Sequence, residues 1–383
     1  MSTSSPRTVW YSRDPAPSAL ALALHLGDLD EELGRAGVEL RSIRHDPRPI
    51  ARRAHLTHVG EGVRHGGNVA ALHARASGAD TVLLGLTWTN ELQAVLASRD
   101  SEIVRPVDLT GRRLGVPERR ATPVDVPAIA ARHGFASALA LAELRLDKHA
   151  RVVPLRVDRT FEDEVAPGVS SKGSLFGARE LREQYGAEAR ALLRGDVDAI
   201  FVRGAAGLEL AYVLDVRMVA ELGRHARRRA RVNDGTPSAL TVSGSLLRTR
   251  PDVVESLLYH LLRAARWARE NVADARRVLA AEVGAAEELV DAAYGPDWWT
   301  SLELELSDAA LEGLVRQKAL LREHGYLPAD VDLAAFVDPR PLAAARARLA
   351  RESASATPAF EWQESRDASW SRADPTAAVA ARR

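Results

Sequence analysis

The order of apolar and polar positions changes period repeatedly along the first hundred residues. Thr8 to Tyr11 forms a short apolar-rich run that predicts a strand, followed by a polar turn at Ser12-Arg13-Asp14-Pro15. Residues 17–36 carry Leu20, Leu24 and Leu33 at helical spacing, with Asp14 or Ser18 placed to cap and proline near the start. Gly37 stops that helix, and Val38 to Ile43 largely alternates with period two, as a strand does. Val69 to Ala76 predicts a helix, and Thr81 to Leu86 is a short apolar run of the kind buried in parallel sheets. Strand and helix in alternation predict an α/β fold with a doubly wound sheet.

The pattern restarts after Ile103-Val104-Arg105-Pro106, where the polar turn Asp108 to Arg113 leads into a strand at Leu114-Gly115-Val116. Val152 to Val157 and Ala199 to Val202 predict further strands, the second reached through a helix end and glycine stop at Leu193-Arg194-Gly195. Leu240 to Leu246 then predicts a return to the first sheet. Beyond it the chain is helical: residues 251–271 place Val254, Leu257, Leu258, Leu261, Leu262 and Ala265 on one face, and 273–283, 286–293 and 307–324 continue. The division expected is 1–106 for the first part of lobe 1, 107–238 for lobe 2, 239–345 for the return to lobe 1, and 346–383 for a tail or wrapping arm. That tail is Ala-, Ser- and Arg-rich and is the candidate contact for an oligomer.

Length and composition narrow the class. With 383 residues the chain fits two lobes, and 46% hydrophobic with 27% charged residues is a globular composition. The 52 basic and 52 acidic residues balance, so no overall field favours nucleic acid or a membrane surface. The local run Arg224 to Arg231 is read as a solvated surface rather than a phosphate patch. The chain has no cysteine, which removes disulfides, thiolate nucleophiles and cysteine-ligated metals. The opening residues lack a basic segment followed by an unbroken apolar stretch, and no run approaches the ~18 apolar residues of a membrane span. The expected location is therefore cytoplasmic.

Several phrases in order resemble a known group: Tyr11-Ser12-Arg13-Asp14-Pro15-Ala16-Pro17, Arg64-His65-Gly66-Gly67, Leu83-Leu84-Gly85, Leu109 to Val116 as Leu-Thr-Gly-Arg-Arg-Leu-Gly-Val, and Gly195-Asp196-Val197-Asp198-Ala199. Together they resemble the hydroxybiphenyl sulfinate desulfinases of dibenzothiophene desulfurisation, within the nitrate/sulfonate/taurine-type solute-binding superfamily, over about residues 8–345. The resemblance implies a two-lobed fold of the periplasmic-binding-protein type (type II) with a ligand cleft between the lobes. It also implies hydrolysis of an aryl carbon–sulfur bond by a cysteine, a histidine and an arginine that holds the sulfinate. Carried over, the arginine falls on Arg64, the glycines on Gly66 and Gly67, and the histidine on His55. The cysteine position holds Asp14. A carboxylate cannot act as the sulfur nucleophile does, so the activity is not copied with the fold.

Each candidate has a plainer reading beside the functional one. Asp14 is either an acid, base or nucleophile in the cleft, or the N-cap of the following helix. Arg64 either grips a carboxylate, sulfinate or sulfonate, with Gly66 and Gly67 opening backbone amides to the ligand, or lies on the surface beside a flexible turn. His55, with His58 as second choice, is the acid/base candidate; His-x-x-His is a weak metal signal, and a hydrogen-bonded loop histidine is the commoner case. Trp88, at the carboxyl end of its strand, either stacks on an aromatic substrate or packs at a hinge. Ser12 and Arg203 are expected to face the same cleft, with Arg119 and Arg120 reaching it from the second lobe. No cofactor or metal is called for.

The leading expectation is a cofactor-independent lyase or hydrolase acting on a small anionic, aromatic or polycyclic molecule. Arg64 holds the acidic group, and Asp14 with His55 moves protons. The alternative, from another class, is a non-catalytic cytoplasmic binding or carrier protein.

Overall fold

The computed structural model describes residues 7–46, 54–57, 62–158 and 183–356. Strand β1 (Arg7–Arg13) carries the apolar run two residues further at its carboxyl end, with Tyr11, Ser12 and Arg13 all buried. Ser18, not Asp14, caps the next helix: its hydroxyl accepts from the Ala21 amide at 3.2 Å. The expected single helix over 17–36 is two, Ala19–Leu26 and Asp28–Arg35. Gly27, at φ +88°, adopts the left-handed conformation that ends the first.

Two five-stranded mixed sheets organise the chain. The first contains β1, β2 (Val38–Ser42), β3 (Gly62–Gly67), β4 (Thr81–Thr87) and β10 (Ser238–Ser243), in the order β2-β1-β3-β10-β4. The second contains β5 (Gln93–Ala97), β6 (Arg113–Glu118), β7 (Arg151–Arg156), β8 (Ala199–Arg203) and β9 (Arg217–Glu221), in the order β7-β6-β8-β5-β9. Each sheet is parallel except for one strand, β10 in the first and β5 in the second, which runs antiparallel to both neighbours. Those two strands come directly after the two crossings between sheets. The first crossing lies between Thr87 and Gln93, so Gln93–Ala97 pairs in the second sheet, ahead of the boundary at 106 that the sequence pattern suggests.

Helices fall on both faces. Pro251–Glu270 packs beneath the first sheet against Ala19–Leu26 and Arg340–Ala356. The stretch expected to begin a tail at 346 therefore continues as docked helix to Ala356, where Arg348 pairs with Glu32 at 2.9 Å and stacks on Tyr259 at 3.8 Å from the ring centroid. The remainder of that arm, with the oligomer contact assigned to it, lies outside the described residues. In the second lobe Phe135, Leu139, Leu114, Ile103 and Val95 close a separate core. This is the two-lobed periplasmic-binding-protein architecture. Among the described residues no helix is long and apolar enough to cross a membrane.

Candidate active site in the interlobe cleft

Residues at the carboxyl ends of parallel strands open onto the space where such sheets take ligands. Asp14 comes directly after β1, Gly67 ends β3, Arg119 comes directly after β6 and Arg203 ends β8. Together with Glu91 and Asp234 from the two crossing segments, they line one cavity of about 690 Å³.

At its floor the Asp14 carboxylate is held on both oxygens. Oδ1 lies 2.8 Å from His55 Nε2, and Oδ2 accepts the Gly67 amide at 2.7 Å. Asp14 is therefore no helix cap. Burial works to raise its pKa, but His55, the field of Arg64 and the Gly67 amide outweigh that and hold the carboxyl well below the usual carboxylate range. His55, on the short helix Ala54–Thr57, is 5% exposed. Burial lowers its pKa, Asp14 pulls it back up and Arg64 pushes it down, and the net shift is downward. At neutral pH the pair is a carboxylate beside a neutral imidazole. In that state Nε2–H donates to Asp14 Oδ1.

Arg64 is 2% exposed and is no surface residue. Its strand fixes it, with Arg64 opposite Ser12 on one side and Thr241 on the other. Nε donates to the His55 carbonyl at 2.8 Å, while Nη1 is buried without a hydrogen-bond partner among the described residues. An unsatisfied buried donor costs ~1–3 kcal/mol, more for a charged group. A guanidinium left that way on a cavity wall offers a prepared place for an anion.

The paired glycines serve a different purpose from the one expected. A Cβ on Gly66 would lie 2.6 Å from the Asp14 carboxylate, and one on Gly67 closer still to that of Asp234. Their backbone approaches the protein's own carboxylates. Asp234, buried, accepts the Val69 amide at 3.1 Å and meets Arg203 at 3.2 Å. Arg203 also faces Glu91 at 3.9 Å. Burial raises both carboxyls and Arg203 lowers them, leaving each above its ordinary value.

No protein-family model matches the chain. It is 28% identical over 354 residues, 87% of this chain and 92% of the relative, to the 2'-hydroxybiphenyl-2-sulfinate desulfinases of Rhodococcus erythropolis and Rhodococcus qingshengii. The chain is desulfinase-like. A solved structure of that desulfurization enzyme, as a cysteine-to-serine variant in complex with biphenyl-2-sulfinic acid, superposes with TM-score 0.71 and 28% identity, covering 89% of this chain and 99% of the other. The alkanesulfonate-binding protein of Xanthomonas axonopodis pv. citri, bound to MOPS, shares the fold at TM-score 0.60 and 17% identity, covering 88% and 99%.

Within this desulfinase-like cleft the other sequence candidates divide. Arg203 and Arg119 line it; Arg120 instead pairs with Glu118 on the surface. Ser12 is buried in its strand and is not part of the cavity wall. Trp88 is not in the cleft either: it packs against Gly313, and Arg228 stacks on its ring at 3.7 Å, in a separate hollow. The basic run is accordingly not a purely solvated face. His58 lies outside the described residues. Glu91 carries no signal in the sequence that marks it as a cleft residue. For Asp234 the turn Asn233-Asp234-Gly235 just before the return strand marks the place, but nothing local announces its long-range partners. Among the described residues no three histidine or carboxylate side chains are grouped to hold a metal ion.

Proposed function

We propose that this protein is an enzyme that cleaves a bond in a small anionic aromatic molecule by lyase-type or hydrolytic chemistry, with no thiol and with Asp14, His55 and Arg64 as its working groups. The observation that carries the reading is the Asp14–His55 pair at 2.8 Å on the wall of a cavity that Arg64 also lines. The similarity to an enzyme over most of both chains supports catalysis, and the buried, unpartnered Nη1 of Arg64 supports an acidic substrate group.

The two members of the pair have different tasks. Asp14, ionised, orients His55 and stabilises the imidazolium that forms when His55 takes a proton. His55, neutral beforehand, takes that proton from water or substrate and returns it to the leaving fragment. Arg64 holds the acidic group and, being fixed to the His55 carbonyl, sets its distance from the base. Asp14→Ala and His55→Ala each lower turnover at least a hundredfold, in the range general acid–base catalysis contributes. Both variants still gain melting temperature with bound ligand, because Arg64 remains. If both variants stay fully active, the assignment is wrong.

A further inference from the structure

Arg119 lies across the cleft from Arg64, on the other lobe. It comes directly after β6, lines the same cavity, and its side chain is 17% exposed. Its Nη1 is buried without a hydrogen-bond partner among the described residues, as that of Arg64 is. The Arg119 Nη1 forms an ion pair with Asp125 at 3.7 Å, too long for a hydrogen bond. Asp125 is occupied elsewhere: Oδ2 accepts the Arg119 amide at 2.5 Å, and Oδ1 accepts the Ala128 amide at 3.2 Å, capping the helix Val126–Ala140. Those backbone bonds fix where the Arg119 side chain starts while leaving its donors to the cavity. Glu188, also on the cavity wall, has a buried Oε2 without a hydrogen-bond partner. Burial raises that carboxyl, and Arg119 among its neighbours lowers it.

Three guanidinium groups on the cavity wall, those of Arg64, Arg119 and Arg203, have a buried Nη1 without a hydrogen-bond partner among the described residues. Arg203 has carboxylates on two sides, Asp234 at 3.2 Å and Glu91 at 3.9 Å, which leaves Arg64 on the first lobe and Arg119 on the second as the donors most open to a ligand. A substrate with a single acidic group gives one of these two a hydrogen-bond acceptor and leaves the other Nη1 without one. Resting on the reading of the cleft as an anion site, we propose that its substrate carries a second acidic group, held by Arg119, so that the molecule bridges the lobes from Arg64 to Arg119. Arg119 is then the residue that sets specificity for a diacid over a monoacid. The cavity of about 690 Å³ is within the range that takes a two-ring molecule with two such groups.

Calorimetric titration of the full chain tests this with biphenyl-2-carboxylate and with the three biphenyl dicarboxylates that keep this group and add a carboxylate on the other ring. At least one diacid binds about tenfold tighter than the monoacid, the difference a charge-assisted contact supports. Arg119→Gln erases the difference by weakening that diacid to the level of the monoacid, and Arg119→Lys keeps part of it. Diacids that bind no tighter than the monoacid overturn the proposal, as does an Arg119→Gln variant that weakens monoacid and diacid equally. If the monoacid itself does not bind the wild-type protein, the reading of Arg64 as an anion clamp falls, and the bridging substrate falls with it.

Discussion

Around Asp14 a few charges decide which groups hold protons. His55 sits between a carboxylate that favours its charged form and a guanidinium that disfavours it, in a pocket whose burial disfavours charge altogether. The balance favours its neutral form, the state a general base requires. Nuclear magnetic resonance titration of the His55 ring checks each contribution without any substrate. In the wild type its pKa lies below the usual ~6.5. Asp14→Asn removes the charge that raises it, so the pKa falls further; Arg64→Met removes a charge that lowers it, so the pKa rises. A wild-type His55 that titrates above ~6.5 would be an imidazolium near neutrality, and its role as base would fail. The sequence at this scale leaves Asp14 open between cap and catalyst because its neighbours suit both. The hydroxyl that takes the capping role, Ser18, is four residues on, and the imidazole that claims Asp14 comes from a separate segment whose approach no local pattern encodes.

Elements place these side chains, and the end of β3 is the most constrained of them. Gly66 and Gly67 are small because two carboxylates close on them, Asp14 on the first and Asp234 on the second. Gly66→Ala drives its methyl into the Asp14 carboxylate, so it displaces Asp14 from His55 and the Gly67 amide. Turnover should fall at least tenfold, with ~1–3 kcal/mol lost from stability as for other overpacked sites. Circular dichroism and melting separate this from unfolding; an active Gly66→Ala variant would show that the Asp14 geometry is not needed. The strands and most helices are legible in the sequence because their periods are strong: Thr81–Thr87 and Pro251–Glu270 begin and end close to where their apolar patterns do. Less so is the break at Gly27, since apolar spacing continues through it, and β5, whose five residues reveal neither their direction nor their sheet. Those properties come from tertiary partners, β8 and β9.

On the scale of the whole molecule, two lobes meet across a cleft whose hinge carries its own ion network. Arg203 of the second sheet reaches Asp234 and Glu91, which lie in the two crossing segments, and thereby ties the second lobe to the hinge. The resemblance in the sequence anticipates this architecture, and the relatives share it over most of their length. It does not disclose the substrate, because a cavity wall assembled from both lobes has no contiguous signature. The same fold is found in an alkanesulfonate-binding protein, so the central claim is that this cleft performs chemistry on an acidic molecule. Mass spectrometry of small molecules co-purifying with Asp14→Asn tests it most directly, with Asp14→Asn/Arg64→Met as its partner and the wild-type protein added to whatever is recovered. The account predicts an acidic aromatic compound retained by the single variant, lost from the double variant, and converted by the wild type. A compound that the double variant retains equally, or that the wild type returns unchanged, would contradict it.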